Sequence, residues 1–333
     1  MDEKVDISYL YARVCGSFSN LRFGEKAAEL MRTSGGITAL WKVLFGEDAP
    51  DIPEARLISE AEQRVVKTSV DDFVRLAKSF SDSNRFINAL ITKYEIGLIK
   101  TMLFRLRAGE TPPEDITYSS RVIQQAIARW PRITDMFADT PYAWLESDCL
   151  NDIAQAENKL DQQYYQTLWN EASAIRKSKV GAILDLLRWE IIYQNVVWAF
   201  RVRRYYGKSK EETVDMLVNI PGVDVTSYAL QTFDYDLGNI ASFNNWPLKR
   251  LLENQTGPAV DVPALEPRTL EDLFDKMKHN LRLYPFSYTP IYCYFKLLDY
   301  ETSLLLAALE STRINIPLEQ KANYVWIPGG QTA

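Results

Sequence analysis

The residue types that ordinarily do chemistry are thinly spread along this chain, and the clusters that come nearest to catalytic motifs break where the chemistry needs them. Gly207-Lys208-Ser209 supplies the end of a phosphate loop, G-x-x-x-x-G-K-[ST], whose backbone amides cradle phosphates. The first glycine of that pattern belongs at position 202, where the chain has Val202, and a helical pattern precedes it where a strand is required. Neither G-x-G-x-x-G nor G-x-S-x-G occurs, so dinucleotide-binding and hydrolase-elbow readings have no anchor. His279 is the only histidine and lies in the polar stretch Asp275 to Asn280. A serine or cysteine nucleophile therefore has one imidazole available as base and no orienting third group near it in sequence; His279 reads as a solvated surface residue. Cys15, Cys149 and Cys293 lie more than 130 residues apart. No local zinc motif forms from them, and three scattered thiols suit a reducing compartment better than a disulfide scaffold.

Carboxylates fare no better as metal ligands. Asp71-Asp72-Phe73-Val74-Arg75 begins like the aspartate-rich motif with which class I terpene-synthase-like enzymes hold Mg²⁺ against a diphosphate, but Arg75 stands where a third carboxylate belongs. Asn151-Asp152 is followed by Gln155 where a hydroxyl is wanted and by Lys159 in place of a glutamate. Asp71-Asp72 reads instead as an acidic helix N-terminus behind Ser69, where carboxylates complement the helix dipole. The expectation is a chain with no catalytic residues, no cofactor and no bound metal.

Composition narrows the classes further. Of 333 residues, 47% are hydrophobic and 25% charged, the balance of an ordinary globular protein with room for about two domains or one repetitive one. Lys plus Arg number 38 against 44 Asp plus Glu, a net charge of −6, so the bulk positive charge that non-specific phosphate contact needs is missing and nucleic acid is excluded as a partner. The opening Met1-Asp2-Glu3-Lys4-Val5-Asp6 is acidic where a signal peptide is basic, which points to an intracellular start. The longest apolar region, Phe286 to Leu309, is interrupted by Lys296, Asp299 and Glu301, so it is not a membrane span, which takes about 20 consecutive apolar residues.

Apolar residues recur at i, i+3, i+4 and i+7 between proline- and glycine-containing breaks such as Thr111-Pro112-Pro113, Ile220-Pro221-Gly222 and Gln255 to Arg268, which predicts an all-α protein. Within the helices one pattern repeats three times: Ile91-x-x-Tyr94-Glu95-x-x-Leu98, Leu186-x-x-Trp189-Glu190-x-x-Tyr193 and Leu297-x-x-Tyr300-Glu301-x-x-Leu304. The glutamates are 95 and 111 residues apart, about a third of the chain. Each copy then meets a helix stop. Gly109 followed by Thr111-x-x-Glu114, and Gly207 followed by Ser209-x-x-Glu212, read as a glycine terminator and a capping box; Asn315 and Pro317 form the third version. The repeat predicts three helical-bundle units over 1–109, 110–207 and 208–333, the last with a closing tail.

In all three copies the carboxylate falls inside the buried stripe of its helix, four residues after one aliphatic side chain and three before another apolar one. A buried charge needs a partner or a proton. Arg13 and Arg121, each on an apolar helix near the start of a unit, are the candidate partners, and Glu95, Glu190 and Glu301 are expected to form structural pairs that seat adjacent helices. The basic run Arg201-Val202-Arg203-Arg204 is the one local cluster fit to meet acidic groups on a partner; a solvated helix C-terminus gives the same sequence.

Four segments resemble the C subunit of bacterial and archaeal V-type ATPases and ATP synthases, known in eukaryotes as the d subunit: Tyr9-Leu10-Tyr11-Ala12-Arg13-Val14, the helix from Lys93-Tyr94-Glu95 through Leu103, the turn Phe137-Ala138-Asp139-Thr140-Pro141-Tyr142, and Tyr294-Phe295-Lys296-x-x-Asp299-Tyr300-Glu301 through Leu309. The resemblance spans roughly residues 9 to 325. It implies a pseudo-threefold funnel of three similar helical units, a non-catalytic central-stalk role coupling the soluble axle to the membrane rotor ring, and a peripheral place on the cytoplasmic face of the membrane. The implied partners are central-axle and rotor-ring proteins of the V-type ATPase, with no direct lipid anchor. An α-helical scaffold or adaptor for soluble proteins is the alternative that the missing catalytic motifs equally suit.

Overall fold

The computed structural model describes residues 3–33, 36–78, 84–114, 116–253, 255 and 257–317. Among the described residues the chain forms fourteen α-helices and four short 3-10 turns, with no strand, so the all-α expectation holds. By its internal contacts the chain divides into two compact units, residues 1–83 with 274–333, and residues 84–273.

The first unit contains α1 (Glu3–Asn20), α2 (Glu25–Met31), α3 (Gly36–Phe45) and α4 (Glu54–Ala77). The second holds α5 (Arg85–Ala108), α6 (Arg121–Ala128), α7 (Ile133–Phe137), α8 (Ile153–Ser173), α9 (Lys177–Val180), α10 (Ile183–Tyr206), α11 (Lys210–Val214) and α12 (Ser227–Gln231). The unit boundary falls inside α13 (Leu265–Leu283), and α14 (Thr289–Arg313) returns to the first unit. Gly109 and Gly207 follow the ends of α5 and α10.

The first unit is organised around α14, which packs on α1, α2, α3 and α4 and buries residues on almost every face, from Ile291 to Thr312. Phe295 meets Phe73 of α4 with ring centroids 4.6 Å apart. Farther along, Leu304, Leu305, Ala308 and Leu309 join Leu30, Trp41, Leu44 and Leu57 in one apolar core. In the second unit α8 packs on both α5 and α10, and α10 also packs on α12.

The three helices bearing the repeated glutamates are 24, 24 and 25 residues long, and each is followed by a left-handed residue: Gly109 at φ 69°, Gly207 at φ 61° and Asn315 at φ 54°. Glycine has no Cβ to clash there, and asparagine is among the few other residues that visit this region. The capping box at Ser209 is complete: the Ser209 hydroxyl accepts from the Glu212 N–H at 3.2 Å, and the Glu212 carboxylate accepts from the Ser209 N–H at 2.9 Å. Its expected counterpart at Thr111 and Glu114 opens no helix; α6 starts later, where Ser120 accepts from the Ile123 N–H. Pro112 and Pro113 account for the difference, because the residue before a proline is driven toward extended backbone. The restart expected after Pro317 lies outside the described residues.

Asp71 and Asp72 also differ from expectation. They sit deep inside α4 rather than at a helix start, because the stripe Leu57, Ile58, Ala61, Val65, Val70 and Phe73 continues straight through Ser69. The Ser69 hydroxyl accepts from Thr302 Oγ1 of α14 at 2.8 Å, which seats a polar residue in the interface instead of at a cap.

Candidate functional site

The helices that carry the repeated glutamates give them three related but unequal environments. Glu95 of α5 is half-buried and accepts from the Tyr142 hydroxyl at 2.9 Å. Tyr142 arrives from the turn after α7, whose shape is fixed by its own hydrogen bonds. Thr140 Oγ1 donates to the Phe137 carbonyl at 2.7 Å and accepts from the Tyr142 N–H at 3.1 Å, while Gln125 Nε2 donates to the Ala138 carbonyl at 2.7 Å. Two segments singled out separately in the sequence, Tyr94-Glu95 and Phe137 to Tyr142, are thus halves of one contact. Burial pushes the Tyr142 phenol far up, and the nearby Glu95 charge adds to it, so the hydroxyl stays a donor.

Glu190 of α10 is 9% exposed and accepts from the Tyr165 hydroxyl of α8 at 2.9 Å. The same hydroxyl lies 2.5 Å from Gln194 Oε1. Burial is the chief reason that the Tyr165 phenol is raised well above its ordinary value, with the Glu190 charge second. Beside it, Trp189 lies against Tyr193 and Tyr228 at centroid distances of 5.4 and 6.2 Å.

Glu301 of α14 is also 9% exposed, and its Oε1 accepts from the backbone N–H of Arg22 at 2.7 Å. Burial raises its carboxyl; the Arg22 N–H and charge pull the other way, and Asp72 adds a like charge. The carboxylate faces a polar cavity of about 340 Å³ in the first unit, shared with Arg13, Arg22, Asp72, Arg75 and Tyr294.

Two tyrosine hydroxyls and one backbone N–H are among the donors to these carboxylates. Arg13 stacks over the Tyr9 ring at 5.9 Å and lines the Glu301 cavity; Arg121 is exposed at the start of α6. A neutral hydroxyl or amide satisfies a carboxylate without burying a second charge, whose desolvation costs several kcal/mol. Tyr142 had a sequence signal in its turn motif. Tyr165 had none, since a tyrosine on an apolar helical face looks like core.

The basic run is divided by the fold. Arg201 pairs with Glu266. Arg203 donates to the carbonyls of Thr232 and Tyr235, lies 5.4 Å from the Phe233 ring, and has its proton affinity lowered by burial. Arg204 is exposed, as are Tyr205 and Tyr206 beside it.

Sequence reasoning missed Asn195 and Asp272. Asn195, 1% exposed, donates from Nδ2 to the carbonyls of Val218 and Val225 at 2.8 and 2.9 Å and accepts the Val218 N–H at 2.8 Å, which ties the loop after α11 to α10. Asp272 accepts from the Tyr193 hydroxyl at 2.6 Å and pairs with Arg250 at 2.9 Å. Neither residue lies in a motif.

The broken motifs serve local structure. Asp72 pairs with Arg75 one turn on, at 2.9 Å, and Asp152 caps α8 by accepting from the Gln155 N–H at 3.0 Å. His279 is exposed. Among the described residues no group of three or more His, Cys, Asp or Glu is placed to hold a metal ion, and no helix is long and apolar enough to cross a membrane.

The family model for the ATP synthase (C/AC39) subunit matches residues 42–324. An uncharacterized protein of Treponema pallidum is 26% identical over 267 residues, 78% of this chain and 77% of that protein. The C subunit of the A-type ATP synthase of Methanosarcina barkeri is 25% identical over 191 residues, 54% of this chain and 52% of its own length. Its counterpart in Methanosarcina mazei is 25% identical over 191 residues with the same coverage. The chain therefore spans about half the length of these archaeal relatives.

Proposed function

The chain belongs to the ATP synthase (C/AC39) subunit family, and we propose from that membership that it is a non-catalytic member of the central stalk of a V-type or A-type rotary ATPase, coupling the soluble axle to the membrane rotor ring. The observation that carries the reading is the family match across residues 42–324, most of the chain. The internal structure suits such work. Torque passes without slip only through stiff packing, and each long glutamate-bearing helix is locked to its unit by a polar contact of defined geometry: Tyr142 to Glu95, Tyr165 to Glu190, and Arg22 to Glu301. Three helices of near-equal length, each with a left-handed stop, support the further proposal of three similar units over 1–109, 110–207 and 208–333 arranged as a pseudo-threefold funnel.

On this reading the protein sits peripherally on the cytoplasmic face of the membrane, held by axle and ring proteins. Its net charge of −6 argues against an anchor on anionic lipid, which takes clustered Lys and Arg. Affinity purification of the tagged protein from its own cells tests the proposal. Recovery of rotary-ATPase stalk and ring proteins is expected. Their reproducible absence, with other soluble partners in their place, turns the reading into that of a helical adaptor.

A further inference from the structure

We propose that the turn between α13 and α14 is a docking surface for an acidic segment of a partner protein that carries apolar side chains along one face. Leu283, Tyr284 and Phe286 are 55%, 37% and 67% exposed. Behind them, on the last turns of α13, stand Lys278, His279 and Arg282, all exposed. Lys278 and Arg282 are four residues apart and share one helical face. A shallow groove of about 400 Å³ runs past these three residues and Leu283, with Asp275 as its carboxylate.

The turn is held by its own hydrogen bonds. The Tyr284 N–H donates to the Asn280 carbonyl at 3.3 Å. Ser287, buried under the turn, donates to the Tyr284 carbonyl from Oγ at 2.9 Å and from its N–H at 3.2 Å, and its Oγ accepts the Thr289 N–H at 3.1 Å. With the backbone held in this way, the apolar side chains face solvent as a consequence of the fold, and covering them orders side chains without having to order the turn itself.

Charge decides the class of partner. In a chain of net charge −6, this face sets Lys278 and Arg282, with His279 between them, against Asp275. Basic residues on the last turns of α13, followed directly in the chain by exposed aromatic and aliphatic side chains, complement an acidic, apolar-faced segment, and aromatic residues and arginine are the types enriched at protein interfaces. Anionic lipid is the poorer fit, because lipid-binding clusters hold about 4–8 Lys or Arg.

This inference rests on the proposed rotary-complex role, since the partner is sought among the other proteins of that complex. The test places a photoreactive benzophenone side chain at position 286 of the full-length tagged protein, with a control at exposed Phe104, and sequences the crosslinked peptide after purification from its own cells. The expected product joins position 286 to a stretch of another rotary-ATPase protein in which Asp or Glu flank apolar residues. Adding Lys278→Glu and Arg282→Glu should lower that crosslink by about tenfold or more, with the circular dichroism spectrum unchanged. Crosslinks only to lipid, crosslinks only to a second copy of this chain, or no crosslink from position 286 while rotary-ATPase proteins still co-purify, each overturns the docking surface alone. Absence of those proteins before any crosslinking removes the role beneath it and the inference with it.

Discussion

Replacing Tyr165 by phenylalanine removes one oxygen and almost no volume, so it isolates the hydroxyl that meets Glu190. Tyr165 is 8% exposed, Glu190 is 9% exposed, and the donor-to-acceptor distance is 2.9 Å. A hydrogen bond to a charged group contributes about 1.5–3 kcal/mol, and its loss leaves the carboxylate short of a donor where water has little access. The expected cost of Tyr165→Phe is therefore about 2 kcal/mol. For a unit the size of residues 84–273, where about 1 kcal/mol moves Tm by roughly 2–4 °C, that is a fall of about 4–8 °C. Thermal and urea unfolding followed by circular dichroism measure it, and a double-mutant cycle with Glu190→Gln separates the pair from the second neighbour, Gln194. In the Glu190→Gln background the same tyrosine substitution should cost at least about 1 kcal/mol less, as coupled neighbours do. A loss below about 0.5 kcal/mol in the wild-type background, the scale of a surface change, or full additivity in the cycle, would refute the claim that the repeated glutamate seats its helix through this bond.

Three further outcomes follow from the same geometry. Asn195→Leu strands two carbonyls and one N–H of the loop it holds, each worth about 1–3 kcal/mol when buried and unmet; a loss of about 3–5 kcal/mol is expected in urea titration, and a near-neutral result would mean the loop rests on other contacts. For Glu301, burial raises the folded-state carboxyl above its unfolded value, so its stabilising contribution is fully present below the ordinary carboxylate range and is lost as pH rises through the raised value. Glu301→Gln removes that loss, and its stability relative to wild type should grow with pH across this window; a flat or falling difference in unfolding midpoints contradicts the assignment. Isothermal calorimetry with Mg²⁺ and ATP should give no saturable heat, since the Gly207-Lys208-Ser209 motif is a helix stop and capping box, and micromolar binding would overturn the non-catalytic reading.

What the sequence determined by itself is local. Helical periodicity, the left-handed stops at Gly109, Gly207 and Asn315, and the box from Ser209 to Glu212 each depend on residues within a turn or two of one another, where steric limits and cap hydrogen bonds act without regard to the rest of the fold. Periodicity also placed Glu190 and Glu301 on buried faces, because a side chain's position around its own helix is fixed by counting. It could not name what meets them. Tyr142 reaches Glu95 across 47 residues, Tyr165 reaches Glu190 across 25, and Arg22 reaches Glu301 across 279. The partner of a buried group is chosen by how helices pack, and many donors satisfy the same carboxylate, so charge matching, which looks for arginines, does not single out the two hydroxyls and the amide that meet them. The same reason governs the misreadings at Thr111 and at Asp71-Asp72. Cap-like residues offer a helix end, but two prolines closed the first, and the stripe that α4 presents to α14 carried the helix through the second. It was likewise tertiary structure that engaged Arg201 and Arg203 and left Arg204 exposed, since Glu266 and the carbonyls of Thr232 and Tyr235 lie far along the chain and come within reach only when the second unit is folded.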